Sequence, residues 1–355
     1  MGKLGKFKII YLIPAAALLL SGCSLSLNTG GSNSGSDGGV FTSVNKGNVW
    51  SQRTMVLSAS GPRSFASADI IDLALDPNDS QAVYAGIFDN GLLYSYDGGA
   101  GWQIATALGK ITVNNVAVDP ADKCVVYATS ANKVFKSEDC NRTWSQVYFD
   151  NDLKVSITAL AVDHFNAANV FIGTSRGDLI KSADRGASWR VAERLDSSVS
   201  KIVISPSDSK IMFAGTSSRG LFRSTDNGER WSSLADRLKS FNNSTRFRDL
   251  VALKADSRTL FMATTYGLLK STDNGDSWSA LELLTPEREA TINSVAVNPD
   301  NSKEIYYVTN TAFYRSADGG VNWTSKKLPS GRAGSELLIN PDNPSMIYLA
   351  VKNIK

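Results

Sequence analysis

The chain has 355 residues with 37 Lys and Arg, 34 Asp and Glu, one His and three Cys. Lys3, Lys6 and Lys8 account for the whole formal charge of +3, so the rest of the chain is neutral. A nucleic-acid binder needs a net basic surface, so this balance argues against one. A lone His (His164) argues against His-based catalysis and multi-His metal sites, and no cofactor is implied.

The three lysines are followed by an apolar run from Ile9 to Leu20, broken only by Pro14. It is too short for a membrane-spanning helix, which needs about 20 apolar residues, but suits the apolar region of an export signal. It ends in Leu20-Ser21-Gly22-Cys23. This resembles the lipobox of bacterial lipoproteins, which implies cleavage before Cys23 and a diacylglycerol on its thiol. The alternative is an ordinary secretory signal that holds a Cys. On the first reading, residues 1–22 are a lipoprotein signal peptide and the membrane partner is reached through lipid alone. Ser24 is not the Asp associated with inner-membrane retention, which favours the outer membrane of an envelope that has one. Residues 23–39 are rich in Ser, Gly and Asn and read as a flexible tether with a reach of roughly 20 Å.

Residues 40–355 are organised by a repeat, Ser-x-Asp-x-Gly-x-x-Trp. It is complete in Ser95-Tyr96-Asp97-Gly98-Gly99-Ala100-Gly101-Trp102, and recurs at 182–189, 224–231, 271–278 and 316–323. The copy at 137–144 has Asn141 in place of Gly, and residues 43–50 carry Asn45 in place of Asp. All seven Trp of the chain (Trp50, Trp102, Trp144, Trp189, Trp231, Trp278, Trp323) close a copy. Successive Ser positions from Ser95 are 42, 45, 42, 47 and 45 residues apart, the period of a four-stranded propeller blade. The Asp is expected to accept bonds from turn amides one to three residues on. The Gly is expected to supply positive φ, and the Trp to fill the space beside the next blade. Strand-like residues precede each Ser, as in Gly220-Leu221-Phe222-Arg223, so the motif is a hairpin between third and fourth strands.

Upstream of each hairpin lies a second unit, such as Leu73-Ala74-Leu75-Asp76-Pro77 followed by Val83-Tyr84-Ala85-Gly86. It reads as an inner strand, a turn and a second strand; His164 takes the Pro place of one such turn. The last unit, Leu337-Leu338-Ile339-Asn340-Pro341 and Ile347-Tyr348-Leu349-Ala350, has no hairpin after it, and the first hairpin has no inner strands before it. Together they complete one blade. The expected fold is all-β, a single seven-bladed propeller closed by N-terminal strands, which removes open sheet edges.

The hairpin resembles the Asp-box, or BNR repeat. That resemblance implies that Asp97, Asp139, Asp184, Asp226, Asp273 and Asp318 hold turns and are not catalytic acids. Cys124 and Cys140 fall at one end of one blade and are expected to form a disulfide, the alternative being two free thiols.

Function is expected on the connections between blades. Each carries a basic residue: Arg63, Lys110, Lys154, Arg194, Arg246 with Arg248, Arg288, and Arg332. These are candidate partner-binding residues for an anionic surface or ligand, with chance placement as the alternative. The repeat style resembles photosystem II stability and assembly factor-like propellers, which implies a propeller with a protein-partner role; the expected function is a monomeric binding or assembly module engaging an unknown envelope protein or glycan. The other reading is a glycoside hydrolase or carbohydrate-binding propeller, with Glu193, Glu282, Glu287 and Glu289 as the loop acids. Sialidases lie further off, because their Arg-Ile-Pro element is missing. Xyloglucanases place two carboxylates between two propellers, and this chain has repeats for one. A purely structural surface protein is the third possibility.

Overall fold

In the computed structural model, the described residues are 2, 36–58, 61–289 and 291–354. Apart from Gly2, the expected export signal lies outside them, as do Cys23 and the rest of the expected tether up to residue 35. The described strands are grouped in seven four-stranded antiparallel sheets and one two-stranded hairpin. Each sheet is a blade, and the innermost strand of every blade packs against those of the blades on either side, so the ring closes.

Numbered along the chain, the innermost strands of blades 1 to 7 are Ile70–Asp76, Asn115–Asp119, Ile157–Val162, Val199–Ile204, Phe247–Ala252, Ser294–Asn298 and Ala333–Ile339. Blade 7 is the composite: Ala333–Ile339 and Ile347–Lys352 are followed by Gly39–Ser43 and Ser51–Gln52. Gly39 lies opposite Val351 and Ser43 opposite Ile347. Outermost strands have two to five residues, as in Ser232–Ser233 and Arg190–Arg194, which limits the open edge offered to another chain.

The core lies in seven wedges between blades, because a sheet buries its apolar faces against its neighbours. Each wedge draws residues from two adjacent blades. The second strands carry small residues for this contact. A Cβ on Gly215 would meet the Phe247 ring at 2.3 Å. One on Gly86 would stand 2.6 Å from the Val113 carbonyl oxygen.

The repeated turn has one geometry in all seven copies. In the copy at 182–189 the Ser182 hydroxyl donates to Asp184 Oδ1 at 2.7 Å and accepts the Gly186 N–H at 2.8 Å. Asp184 Oδ1 accepts the Ser188 N–H at 2.8 Å. Asn45 does the same through its amide oxygen, accepting Val49 N–H at 2.8 Å. The amide held in every copy is four residues on, one beyond the expected range. Asp226 and Asp318 also accept the expected amide three residues on, from Glu229 and Val321 at 3.1 Å. Two consecutive residues take positive φ, not one: Asn227 (59°) and Gly228 (78°), for example, or Lys46 (61°) and Gly47 (79°). The first of the pair is Gly, Cys, Arg, Asn or Lys in different copies, so no single residue type marks it.

The Trp side chains correct a second expectation. Each packs against the preceding blade, not the next. Trp323 of blade 6 lies among Leu253, Phe261 and Leu268 of blade 5, and its Nε1 donates to the Glu282 carbonyl at 2.9 Å. Trp189 of blade 3 donates to the Val147 carbonyl of blade 2 at 3.0 Å. Strand alternation defines two faces. Which neighbour each face meets depends on the direction in which the blades travel round the ring.

Cys124 and Cys140 are joined, with Cα atoms 3.9 Å apart. The connection from blade 7 to blade 1 also contains a hairpin, Met55–Val56 with Arg63–Ser64. It was not legible in the sequence because its strands are two residues long. Backbone bonds from Trp102 N–H to Met55 O (2.9 Å) and from Leu57 N–H to Trp102 O (2.8 Å) hold it to blade 1.

Candidate functional site

In an antiparallel four-stranded blade, the turn between second and third strands and the exit to the next blade share one end. That end is the upper face here; the Ser-x-Asp turns occupy the lower. The innermost strands start at the upper face and line a central cavity of about 490 Å³.

Its wall is polar at one repeat position. Asp72, Asn115, Ala159, Lys201, Asp249, Ser294 and Glu336 take equivalent places in blades 1 to 7. In blades 1, 3, 4, 5 and 7 the place follows a register shift in the innermost strand, and such a bulge re-aims a side chain. The carboxylates reach across to the following blade. Asp72 Oδ2 accepts the Val116 N–H at 2.7 Å, Glu336 Oε2 the Leu73 N–H at 2.8 Å, and Asp249 Oδ2 the Val295 N–H at 2.9 Å. Lys201 makes the same step as a cation, with Nζ 2.5 Å from Asp249 Oδ1. Neighbouring side chains donate to backbone carbonyls across the same gaps: Thr158 to Val199 at 2.6 Å and Asn293 to Gly334 at 2.8 Å.

Burial raises the Asp72 carboxyl to about 7, against the opposing pull of the Val116 N–H and Lys201. Burial, and then the charge of Asp72, raise Glu336 well above the usual carboxylate range. Burial pulls Lys201 down, but Asp249, Glu336 and Asp72 outweigh it and the net direction is upward. Three carboxyls and an ammonium in one cavity are chemically capable of proton exchange. Each is also engaged in joining blades. Below them the wall becomes apolar, with Leu75, Val251, Val297, Leu338 and Ile339. The sequence analysis passed over this ring. The available signal was a polar residue near the start of the innermost strand in six of the seven blades, with Ala159 in blade 3.

Six of the eight basic candidates lie exposed on the upper face: Lys110, Lys154, Arg194, Arg246, Arg248 and Arg288. Arg248 also lines the cavity mouth. Arg63 is exposed on the hairpin at the rim between blades 7 and 1. Arg332 departs from the expected role. It is 6% exposed, and its guanidinium donates to Asp69 Oδ1 at 2.6 Å, to the Ala68 carbonyl at 3.0 Å and to the Ser67 carbonyl at 3.1 Å. It fastens blade 7 to the connection entering blade 1, and offers a partner nothing in that position.

Of the remaining acids of this face three are paired, whereas among the described residues Asp89, Asp152, Glu193, Glu282, Glu287 and Glu289 have no cationic partner within 4 Å. Arg176 pairs with Asp150 at 2.9 Å and Asp178 at 2.6 Å, and Arg219 with Asp196 at 3.2 Å. Arg194 stands 3.4 Å from Asp178. Among the described residues, Lys110, Lys154, Arg246, Arg248 and Arg288 have no acidic partner within 4 Å. Of the loop acids, Glu282 and Glu287 share the wall of a shallow cleft with Tyr266, whose hydroxyl donates to Glu287. Glu193 accepts the neighbouring Arg194 N–H at 3.1 Å. His164 lies in a lower-face turn beside Phe165.

The fold and this mouth define a single seven-bladed propeller with a polar central cavity. No protein-family model and no curated protein matches the sequence. Solved structures do. The chain is similar to a GH74 enzyme from Niastella koreensis (TM-score 0.65, 19% identity, 81% of this chain and 51% of that one). It is also similar to the GH74 xyloglucanase of Xanthomonas campestris (0.64, 18%, 80% and 51%). It thus spans about half the length of these enzymes. YCF48 bound to D1 peptide is matched over nearly its full length (0.60, 19%, 81% and 94%). At these identities the likeness is one of fold.

Proposed function

We propose that this chain is a non-catalytic binding module of the bacterial cell envelope, anchored by lipid on Cys23 and engaging a protein partner through the upper face of the propeller. An assembly factor is the form of that role we favour. The observation that carries it is the set of cations without acidic partners, Lys110, Lys154, Arg246 with Arg248, and Arg288, placed at four connections round one mouth. Cations presented this way attract an acidic surface and set its orientation. The peptide-bound YCF48 neighbour supports the reading, as do cavity acids that are occupied in joining blades.

The test is a crosslinking pulldown from native membranes, comparing the natural chain with a variant in which Lys110, Lys154, Arg246 and Arg288 are Ala. Arg332 is kept, because removing it loosens the ring. A defined partner captured by the first and lost by the second is the expected result. A partner retained by both moves the contact off this face. If no partner is captured and aryl-glycosides are hydrolysed, the glycoside hydrolase reading takes its place, with Glu282 and Glu287 the first residues to change.

A further inference from the structure

The chain enters the propeller from its upper face. Residues 36–38 lie at the rim of the upper face. The Gly38 N–H donates to the Ala66 carbonyl at 2.6 Å, and Asp37 Oδ2 accepts the Gly331 N–H at 2.8 Å. Both partners belong to connections between blades. The Gln52 amide donates to the Ser36 carbonyl at 3.0 Å, so the attachment is fixed back to that residue. Gly39–Ser43 then runs downward from this rim. From Cys23 to Ser36 the chain spans at most about 45 Å even when fully extended. A lipid on Cys23 would therefore hold the upper rim within about 45 Å of the bilayer.

The same face has the chemistry of a bilayer-contacting surface. Leu153, 84% exposed, sits beside Lys154 in the connection from blade 2 to blade 3. Leu284, 55% exposed, lies four residues before Arg288 in the connection from blade 5 to blade 6. Phe88 and Ile354 are exposed at the same end, in a second-to-third-strand turn and just beyond the strand Ile347–Lys352. Apolar side chains that reach the interface beside cations that meet anionic headgroups form the usual pair of peripheral membrane contacts.

We infer that the upper face docks flat on an anionic lipid bilayer, with Leu153 and Leu284 at the headgroup level and Lys110, Lys154, Arg246 and Arg288 against lipid phosphates. The cavity mouth then opens toward the membrane, so the protein partner of this face is one embedded in the bilayer, which displaces lipid from these cations when it binds. This rests on the lipid anchor at Cys23, which is tested separately by mass spectrometry of the N-terminal peptide of the purified chain.

The docking test uses the acylated chain in phosphatidylcholine vesicles with and without phosphatidylglycerol. A fluorophore is placed on Leu153→Cys or, in a second variant, on Val321→Cys of the lower face, which is 75% exposed. Quenching by doxyl-labelled lipid is read for each. The expected result is strong quenching at position 153, little at 321, and loss of the difference when Lys110, Lys154, Arg246 and Arg288 become Ala. Equal quenching at both positions, or none at 153, overturns the orientation. Strong quenching at 153 that ignores phosphatidylglycerol overturns the part assigned to the cations. A chain without acyl modification fails the anchor reading in the mass spectrum, before any vesicle is made.

Discussion

Phe41 stands directly opposite Leu349, so residues from the two ends of the propeller form one antiparallel pair in the middle of blade 7. Phe41 is 5% exposed and packs with Leu349, Phe313 and Leu337. The closure is thus both a strand pairing and a piece of core. Phe41→Ala should destabilise the whole ring by about 3–5 kcal/mol. Denaturant unfolding checks this, and coincident loss of signal from all blades is expected because an open ring exposes sheet edges at once.

Arg332 and Arg288 separate structure from recognition. Arg332→Ala leaves the Ser67 carbonyl without its donor, while Asp69 keeps Asn353 and the Ala68 carbonyl keeps the Gly39 N–H, and should cost about 1–3 kcal/mol. Arg288→Ala should leave stability within about 0.5 kcal/mol and weaken partner capture. Thermal unfolding run beside the pulldown reads both.

The repeated turns should behave as independent supports. Ser182 is buried, and Ser182→Ala removes the acceptor of the Gly186 N–H, at a cost of about 1–3 kcal/mol. The equivalent change at Ser316 should add to it within a few tenths of a kcal/mol, since the sites share no contacts. Neither should alter binding at the upper face. A loss of binding without loss of stability would give these turns a role beyond structure.

The cavity carboxyls predict a pH dependence. Asp72 is raised in the folded chain from 3.8 to about 7. Below the unfolded value both states carry the proton, and Asp72 has no effect on stability. As pH rises from 4 to 7 the unfolded chain ionises more readily, and stability falls by roughly 2 kcal/mol once channel water is allowed for. Asp72→Asn keeps an acceptor for the Val116 N–H and should raise the melting temperature at pH 8 while changing little at pH 4. A variant as labile as the natural chain at pH 8 would remove Asp72 as the cause.

The sequence alone determined the repeat, the number of blades and the way the ring closes. These depend on local turn chemistry and on strand alternation, both of which recur at a fixed period. It also placed Cys124 and Cys140 on one blade and marked Asp184 and its equivalents as turn residues. The tertiary structure decided what the repeat left open. It turned each Trp toward the preceding blade, buried Arg332 among Asp69 and the carbonyls of Ser67 and Ala68, and brought Asp72, Lys201, Asp249 and Glu336 round one cavity. Those relations join residues on different blades. Periodicity fixes where a side chain sits within its own blade, but its neighbour across the wedge is set only when the ring is closed.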